Sequence, residues 1–375
     1  MKTIRNIYNH LQDRESKAIF INRLLYSITD GYDYILQIIR ALPQKSKLDD
    51  LVTFCREHAD QMIFYGAGND LLLLSNLYPD LCIQHICDRS VQKQQEGWHG
   101  IPVMSPDELL EMKDQVYVAI TTSGFYEEIR LFLSSNGFKE ERLIDLSMIT
   151  DTERQYFEQS TLSPCPDEVF IDGGCFDGST TRRFIRWCSG NYKKIYAFEP
   201  DKKNYERCLK MCEREQISDI QILHKGLWDH EARLTFQETG GQGSKIEERD
   251  ISGTMEGDRA SDVPDGAGGD VGSSESIGVS AAEETNVIWT AAIDDIVGED
   301  KVTFIKLDVE GAELRALQGA ELSIRRHRPR LAISIYHKPE DVIEIPAYIL
   351  SLHEDYRLYI RHYQMSACET ILYAV

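Results

Sequence analysis

The sequence contains 375 residues, a length at which two domains are expected rather than one core. Its hydrophobic fraction of 42% suits globular packing, and its formal net charge of −21 argues against a protein that coats nucleic acid, which needs clustered Lys and Arg. No run of about eighteen apolar residues occurs, so we predict no membrane span.

The cysteines and the first residues indicate the compartment. The nine cysteines form no Cys-x-x-Cys pair and no alternating Cys/His set, so structural zinc is not predicted and a reducing compartment is favoured. Residues 1–10 lack the apolar stretch and the cleavage site of a secretory signal. We therefore expect a cytoplasmic protein.

Residues 1–60 are predicted to form a helical N-terminal segment. Apolar residues recur at helical spacing between 21 and 28 and again between 34 and 42, and Pro43 ends the second helix. This segment contains no candidate site.

Between residues 61 and 150 the pattern changes to short apolar runs separated by helical stretches. Strands are predicted at 62–65, 82–87, 116–120 and 142–145. Because strands that alternate with helices are joined by crossovers, this region is predicted to be a Rossmann-like domain with a parallel sheet.

The first strand of this domain runs into the turn Gly66-Ala67-Gly68, and Asp88 ends the next strand. In nucleotide-binding proteins such glycines admit a pyrophosphate to a helix N-terminus, while the acid binds a ribose hydroxyl. Leu71 replaces the third glycine of that motif, which favours a fold retained for packing over a functional nucleotide site. The segment resembles the small Rossmann-like N-terminal domains of sugar-modifying enzymes, and this resemblance implies a nucleotide sugar as the alternative ligand.

The alternation of strands and helices restarts at Val169, and a second α/β domain is predicted over 165–375. Between 237 and 284 the sequence is rich in Gly, Ser, Asp and Glu and nearly empty of large apolar residues. Such a stretch cannot bury enough surface to offset the entropy of ordering, so we predict a disordered acidic insertion. A lid over the substrate is the alternative interpretation.

The first strand of the second domain ends at Asp172 and the glycine-rich turn 173–178. Small residues let the backbone come close to a ligand, and the carboxylate of Asp172 can hold the ammonium group of a bound amino acid. The glycine spacing differs from the dinucleotide fingerprint, which argues against a second NAD site.

Four further strands also end in candidate ligands. The second strand is followed by Glu199 and Pro200, where a carboxylate can accept both hydroxyls of a ribose, and the third leads to Leu227 and Trp228, an edge suited to an adenine ring. The fourth and fifth strands end in the polar residues Asp308, Glu310, Glu313 and His337. Each acid alone can be explained as a helix cap or as a charge favoured by a helix dipole. Successive strands with polar ends instead predict a ligand-binding edge of the sheet.

These motifs resemble the FkbM-type methyltransferases. The resemblance rests on residues 172–178, on Phe-Glu-Pro at 198–200 and above all on Lys-Leu-Asp-Val-Glu-Gly-Ala-Glu at 306–313. It implies that the second Rossmann-like domain is a class I methyltransferase fold with S-adenosylmethionine as cofactor. The sequence departs from the family pattern at Cys175 and Phe176, where Ala-Asn is usual, and in the acidic insertion.

The resemblance also assigns roles to single residues. Asp172 and Gly174 would approach the methionine end of the cofactor, and Glu199 would hold its ribose. Asp308 and Glu310 would lie beside the methyl group and the acceptor. The predicted cofactor site comprises Asp172, Gly173, Gly174, Asp177, Gly178, Glu199, Pro200, Leu227, Trp228 and Asp308.

The predicted reaction is methyl transfer to a hydroxyl of a sugar or a glycan-linked acceptor. The sulfonium methyl is a strong electrophile, so the protein chiefly aligns the acceptor, and a base removes the hydroxyl proton. His337 is the first candidate base and Asp308 the second, with Glu310 completing the catalytic set. A satisfied strand-end histidine is the alternative for His337. The same three side chains could gather a divalent metal, but none is predicted.

Other functions stay open at this point. The acceptor can instead be a small secondary metabolite or a lipid-linked molecule. A protein of another class, one that binds nucleotide sugars or acts as a scaffold without turnover, is the second alternative, and a dehydrogenase is the weakest.

Overall fold

The structure is a computed structural model that describes residues 1–43, 45–122, 125–146, 153–157, 160, 162–237, 245–247 and 286–375. Its N-terminal segment is helical, as predicted: α1 (Lys2–His10), α2 (Arg14–Thr29), α3 (Asp33–Arg40) and α4 (Lys45–Glu57). No helix in the described ranges is long and apolar enough to cross a bilayer.

The next elements form a five-stranded parallel sheet. In chain order they are β1 (Met62–Tyr65), α5 (Asn69–Leu77), β2 (His85–Cys87), α6 (Val91–Glu96), β3 (Val103–Met104), α7 (Pro106–Leu110), β4 (Tyr117–Ile120), α8 (Tyr126–Ser135) and β5 (Leu143–Asp145). The strand order is β3-β2-β1-β4-β5, with every neighbouring pair parallel. All four residues of β1 are buried because helices cover both faces of such a sheet. The predicted Rossmann-like fold is confirmed here.

The remaining elements are the strands of two further sheets and the helices between them. They are β6 (Glu168–Gly173), α9 (Ser179–Trp187), β7 (Tyr192–Phe198), α10 (Lys202–Glu215), β8 (Ile220–Leu223), β9 (Gly226–Leu227), β10 (Arg233–Gln237), β11 (Lys245–Glu247), β12 (Asn286–Ala291), α11 (Ile293–Val297), β13 (Phe304–Leu307), α12 (Glu313–Gln318), α13 (Glu321–His327), β14 (Arg330–Ser334), α14 (Asp341–Leu352), β15 (Leu358–His362) and β16 (Thr370–Ala374).

The order β14-β13-β6-β7-β8 makes β6 the strand at which the winding of the second sheet reverses. All four pairs in this stretch are parallel. In open α/β sheets, ligands bind at the carboxyl ends of the strands beside such a reversal, which here are the ends of β6, β7 and β13. The predicted class I methyltransferase fold is confirmed.

A smaller sheet, β11-β10-β12-β9, follows β8. The buried side chains of Leu234 and Ile288 pack against Trp228 and Ala312, so this sheet covers the segment that follows β13. Its strand β11 lies inside the predicted insertion 237–284 and pairs antiparallel with β10. The other residues of that predicted insertion, from 238 onward, lie outside the described residues.

The chain forms two compact units, one of Met1–Leu162, Ser334–Leu350 and Asp355–Val375, the other of Ser163–Ile333 and Ser351–Glu354. Within the first unit, α2 is fixed to β15. The carboxylate of Asp13 accepts the Ser16 backbone N–H at 2.8 Å, which caps α2, and it pairs with Arg361 at 2.7 Å. The Ser16 hydroxyl accepts the Ile360 N–H at 2.9 Å.

Candidate active site

The glycine turn after β6 touches the end of β13. The N–H of Gly174 donates to the carbonyl of Phe198 at 3.0 Å, and the N–H of Asp308 donates to the carbonyl of Gly173 at 3.1 Å. Gly174 has φ +73°, and a Cβ built on it would lie 1.9 Å from the carbonyl oxygen of Asp308. Only glycine fits there, so the turn brings the ends of β6, β7 and β13 together.

A buried ion pair lies beneath this turn. Asp172, at 0% exposure, stands opposite Lys306 in the register of β6 and β13, and Oδ1 of Asp172 lies 3.2 Å from Nζ of Lys306. Thr181 donates to Oδ2 of Asp172 at 2.7 Å. Lys306 also donates to the carbonyls of Gly173 and Gly174, both at 2.8 Å. The carboxylate of Asp172 is thus held inside the protein, and its contact with a ligand ammonium stays a prediction.

Sequence reasoning missed the part that Lys306 has in the turn. The signal was present, since Lys306 is a cation inside the otherwise apolar strand Phe304–Leu307. In the structure its side chain is only 1% exposed. A charge so deeply buried requires a partner of opposite sign and hydrogen-bond acceptors. The sequence did not reveal which acceptors those were.

Glu199 follows β7 and is 6% exposed. Its Oε2 accepts the N–H of Phe176 and its Oε1 accepts the N–H of Asp201, both at 2.9 Å. Burial raises the pKa of this carboxyl to about 7, against the lowering effect of those two hydrogen bonds. Each carboxylate oxygen can accept two hydrogen bonds, so each retains one position for a hydroxyl donor. This geometry suits the predicted ribose contact.

Four further predicted cofactor residues follow β6 or lie at β9. Asp177 accepts the N–H of Ser179 at 2.9 Å, and Gly178 is the N-cap of α9, so both shape the start of that helix. Leu227 and Trp228 are buried, with Leu227 packed over Gly173.

Trp228 packs beneath the small sheet, and the guanidinium of Arg315 lies 5.5 Å from its ring centroid. Pro200 is half-buried beside Glu199. The adenine contact predicted for Leu227 and Trp228 stays a prediction.

The three carboxylates of the acidic segment after β13 differ in their exposure to solvent. Asp308 is half-buried, and Glu310 is exposed at φ +54°. Glu313 is buried and accepts the N–H of Val309 at 2.8 Å, which closes the turn into α12. Asp308 and Glu310 are therefore the carboxylates of this segment that reach solvent.

His337 lies three residues beyond β14, in the part of the chain that belongs to the first compact unit. Its ring contacts that of Tyr336, with centroids 4.1 Å apart. The role of His337 as the base stays a prediction.

A second histidine, which sequence reasoning did not single out, is held by an acid. Nδ1 of His230 lies 2.5 Å from Oδ1 of Asp229, and Arg315 of α12 binds the other oxygen of Asp229 at 2.9 Å. A carboxylate that orients an imidazole is the arrangement of a general base. The only sequence signal was the polar pair directly after Trp228.

The chain is similar to known methyltransferases. The methyltransferase FkbM domain model matches residues 172–364, just over half of the chain. The 2-O-methyltransferase NoeI of Sinorhizobium fredii (strain NBRC 101917 / NGR234) is 31% identical over 93 residues, which are 24% of this chain and 35% of that protein. The chain thus spans about a third of that relative.

Solved structures with similar architecture include the methyltransferase FkbM from Methylobacillus flagellatus KT. It has 18% sequence identity and a TM-score of 0.48, and the match covers 94% of this chain and 100% of that one. A methyltransferase from Streptococcus mutans in complex with SAH (S-adenosylhomocysteine) has 12% identity and a TM-score of 0.33, covering 58% and 94%.

Proposed function

The chain belongs to the FkbM methyltransferase family, and we propose that it transfers the methyl group of S-adenosylmethionine to a hydroxyl of a sugar or glycan-linked acceptor. The observation that carries the proposal is Glu199, a buried carboxylate beside the glycine turn with one free acceptor position on each oxygen. The name of the relative NoeI, a 2-O-methyltransferase, supports a hydroxyl acceptor.

The residues at this edge fit S-adenosylmethionine. The turn at Gly174 leaves no room for a side chain, and Glu199 can accept ribose hydroxyls. When bound, the cofactor supplies an electrophilic methyl group. The protein aligns the acceptor hydroxyl, excludes water and accepts the proton, and we assign these tasks to Asp308, Glu310 and His337.

Titration calorimetry with SAH tests the cofactor site. We expect micromolar binding to the wild type, loss of most of the affinity in Glu199→Ala and no change in Asp88→Ala, the matched acid of the first unit. Transfer of tritiated methyl from S-adenosylmethionine to a panel of sugars, glycans, lipid-linked sugars and small metabolites then identifies the acceptor class. Binding of a UDP-sugar with no binding of SAH would instead place the function in the first unit.

The choice of base is tested by substitution of the two histidines. If His337 accepts the proton, His337→Gln lowers kcat by about a hundredfold, whereas His230→Gln leaves kcat unchanged. The reverse result assigns the base to the pair of His230 and Asp229.

The non-catalytic alternative is tested by the two solvent-reaching carboxylates. In the double variant Asp308→Asn, Glu310→Gln, methyl transfer should fall much further than SAH binding, to which only Asp308 of the two is predicted to contribute. A wild type that binds SAH but methylates no acceptor of the panel would favour a scaffold or sensor.

A further inference from the structure

Phe176, in the glycine turn after β6, has both an exposed aromatic ring and an unfavourable backbone conformation. The side chain of Phe176 is 54% exposed, although aromatic rings are normally buried in folded proteins. Its backbone has φ +53°, a left-handed conformation that disfavours bulky residues. Neither condition contributes to the stability of the free protein, so a role in ligand binding explains the residue better than packing does.

The hydrogen bonds of the turn place Phe176 beside the ribose end of the proposed site. The N–H groups of Gly174 and Cys175 both donate to the carbonyl of Phe198, at 3.0 and 3.1 Å, so the turn crosses the carboxyl end of β7. The next amide, that of Phe176 itself, donates to Oε2 of Glu199 at 2.9 Å. The residue that carries the exposed ring is therefore in direct backbone contact with the carboxylate expected to hold the ribose.

We propose that the ring of Phe176 packs against the adenosine moiety of the bound cofactor, while its backbone N–H orients Glu199. This inference rests on the proposed function, since it requires an adenosine-containing ligand at Glu199. The adenine ring of the cofactor offers an aromatic face, and its stacking on a side-chain ring does not depend on hydrogen-bond donors. The left-handed backbone turns the ring outward while leaving the amide directed at the carboxylate.

The test separates the ring from the backbone. Phe176→Asn removes the ring but keeps the N–H, and Asn tolerates the left-handed conformation better than Phe does. Phe176→Tyr keeps a ring. Leu322→Asn is the matched control, because Leu322 is a similarly exposed apolar residue, at 60%, on α13. The measurements are the dissociation constant for SAH by calorimetry and the melting temperature without ligand.

We expect Phe176→Asn to weaken SAH binding by about tenfold, with a melting temperature equal to or above that of the wild type. Phe176→Tyr should bind within about twofold of the wild type, and Leu322→Asn should not change binding. SAH binding that is equal in the wild type and Phe176→Asn overturns this inference and leaves the proposed function intact. A wild type that does not bind SAH refutes the proposed function and this inference with it. A lower melting temperature in Phe176→Asn but not in Phe176→Tyr would assign the ring a packing role instead.

Discussion

The two compact units contain glycine turns of the same design. In each, a buried parallel strand runs into the turn, a neighbouring strand holds the turn carbonyls, and an acid follows the next strand. In the first unit the hydroxyl of Thr121 lies 3.0 Å from the carbonyl of Tyr65 and 2.9 Å from that of Gly66, and its single hydrogen is shared between them. In the second, Lys306 donates to the carbonyls of the two turn glycines, Gly173 and Gly174.

The acids of the two turns, Asp88 and Glu199, differ in how many hydrogen bonds they already accept from the protein. Asp88 accepts the N–H of Ala67 and Nζ of Lys93 on Oδ2, and the N–H of Ser90 on Oδ1. Glu199 accepts two backbone amides, one on each oxygen. Burial raises the pKa of both, but in Asp88 the hydrogen bonds and Lys93 reverse this and leave its pKa below the usual value. At two acceptor positions per oxygen, one position therefore stays open on Asp88 and two stay open on Glu199. A strand-end acid is a stronger ligand candidate when fewer of its acceptor positions are occupied by donors of the protein itself.

The turn glycines offer the sharpest contrast. A Cβ on Gly174 would collide with the backbone of Asp308, whereas a Cβ on Gly68 has no neighbour nearer than Nζ of Lys93 at 4.0 Å. We expect Gly174→Ala to lower the free energy of unfolding by roughly 5 kcal/mol, about 2 from the left-handed conformation and about 3 from overpacking. Gly68→Ala should change it by less than about 1 kcal/mol. Urea denaturation measures both.

The same pair of variants also reports on binding. Gly174→Ala should lose SAH binding, and Gly68→Ala should retain it in full. Equal effects of the two alanines on stability and binding would contradict the comparison of the turns.

Much of this contrast was visible in the sequence. Short apolar runs between helical stretches predicted both parallel sheets, because only crossovers connect such strands. Glu199 could be identified because strand ends of a parallel sheet meet at one edge. The missing third glycine at Leu71 also indicated that the first turn differs from a nucleotide site.

The partners of the charged groups could not be predicted. Asp172 and Lys306 are more than a hundred residues apart, and only the register of β6 and β13 brings them together. Trp228, predicted to meet adenine, packs beneath the small sheet, and the sequence does not specify how that sheet folds over the segment after β13. Pairing and burial of this kind depend on tertiary contacts.

The side chains that bind the turn carbonyls, Lys306 and Thr121, should give the next largest difference in stability when they are replaced. Lys306→Met leaves Asp172 buried without its cation, which should lower the free energy of unfolding by about 3 kcal/mol. The matched change in the first unit, Thr121→Val, removes a neutral donor and should lower it by only about 1 kcal/mol. Both values come from urea denaturation at pH 7.

A double-mutant cycle checks the cause. Adding Asp172→Asn to Lys306→Met should recover part of the lost stability, because no unpaired buried charge then remains. Strictly additive effects would show that the ion pair is not what holds the second turn.

The raised pKa of Glu199 predicts a pH dependence of binding. With a pKa of about 7, the carboxyl is mostly neutral at pH 6 and mostly ionised at pH 8. Ribose hydroxyls donate more strongly to a carboxylate, so SAH affinity should rise by about tenfold between these pH values. Since the folded pKa is raised, the free protein should lose stability as the pH rises from about 4 to about 7. Calorimetry in buffers of equal ionic strength measures the affinity, and Glu199→Gln should show a flat profile; the same slope in that variant would assign the titration to another group.

Replacement of Asp88, the acid of the first turn, should have the smallest effect on stability. Asp88→Asn replaces an acceptor that serves Ala67, Ser90 and Lys93, and should lower the free energy of unfolding by about 1 kcal/mol at pH 7. Because the pKa of Asp88 is lowered in the folded protein, this difference should shrink as the pH falls through that pKa. SAH affinity should not change. If UDP-glucose binds the wild type and this variant abolishes the binding, the first turn is a ligand site despite the three donors already bound to Asp88, and the contrast between the two turns fails.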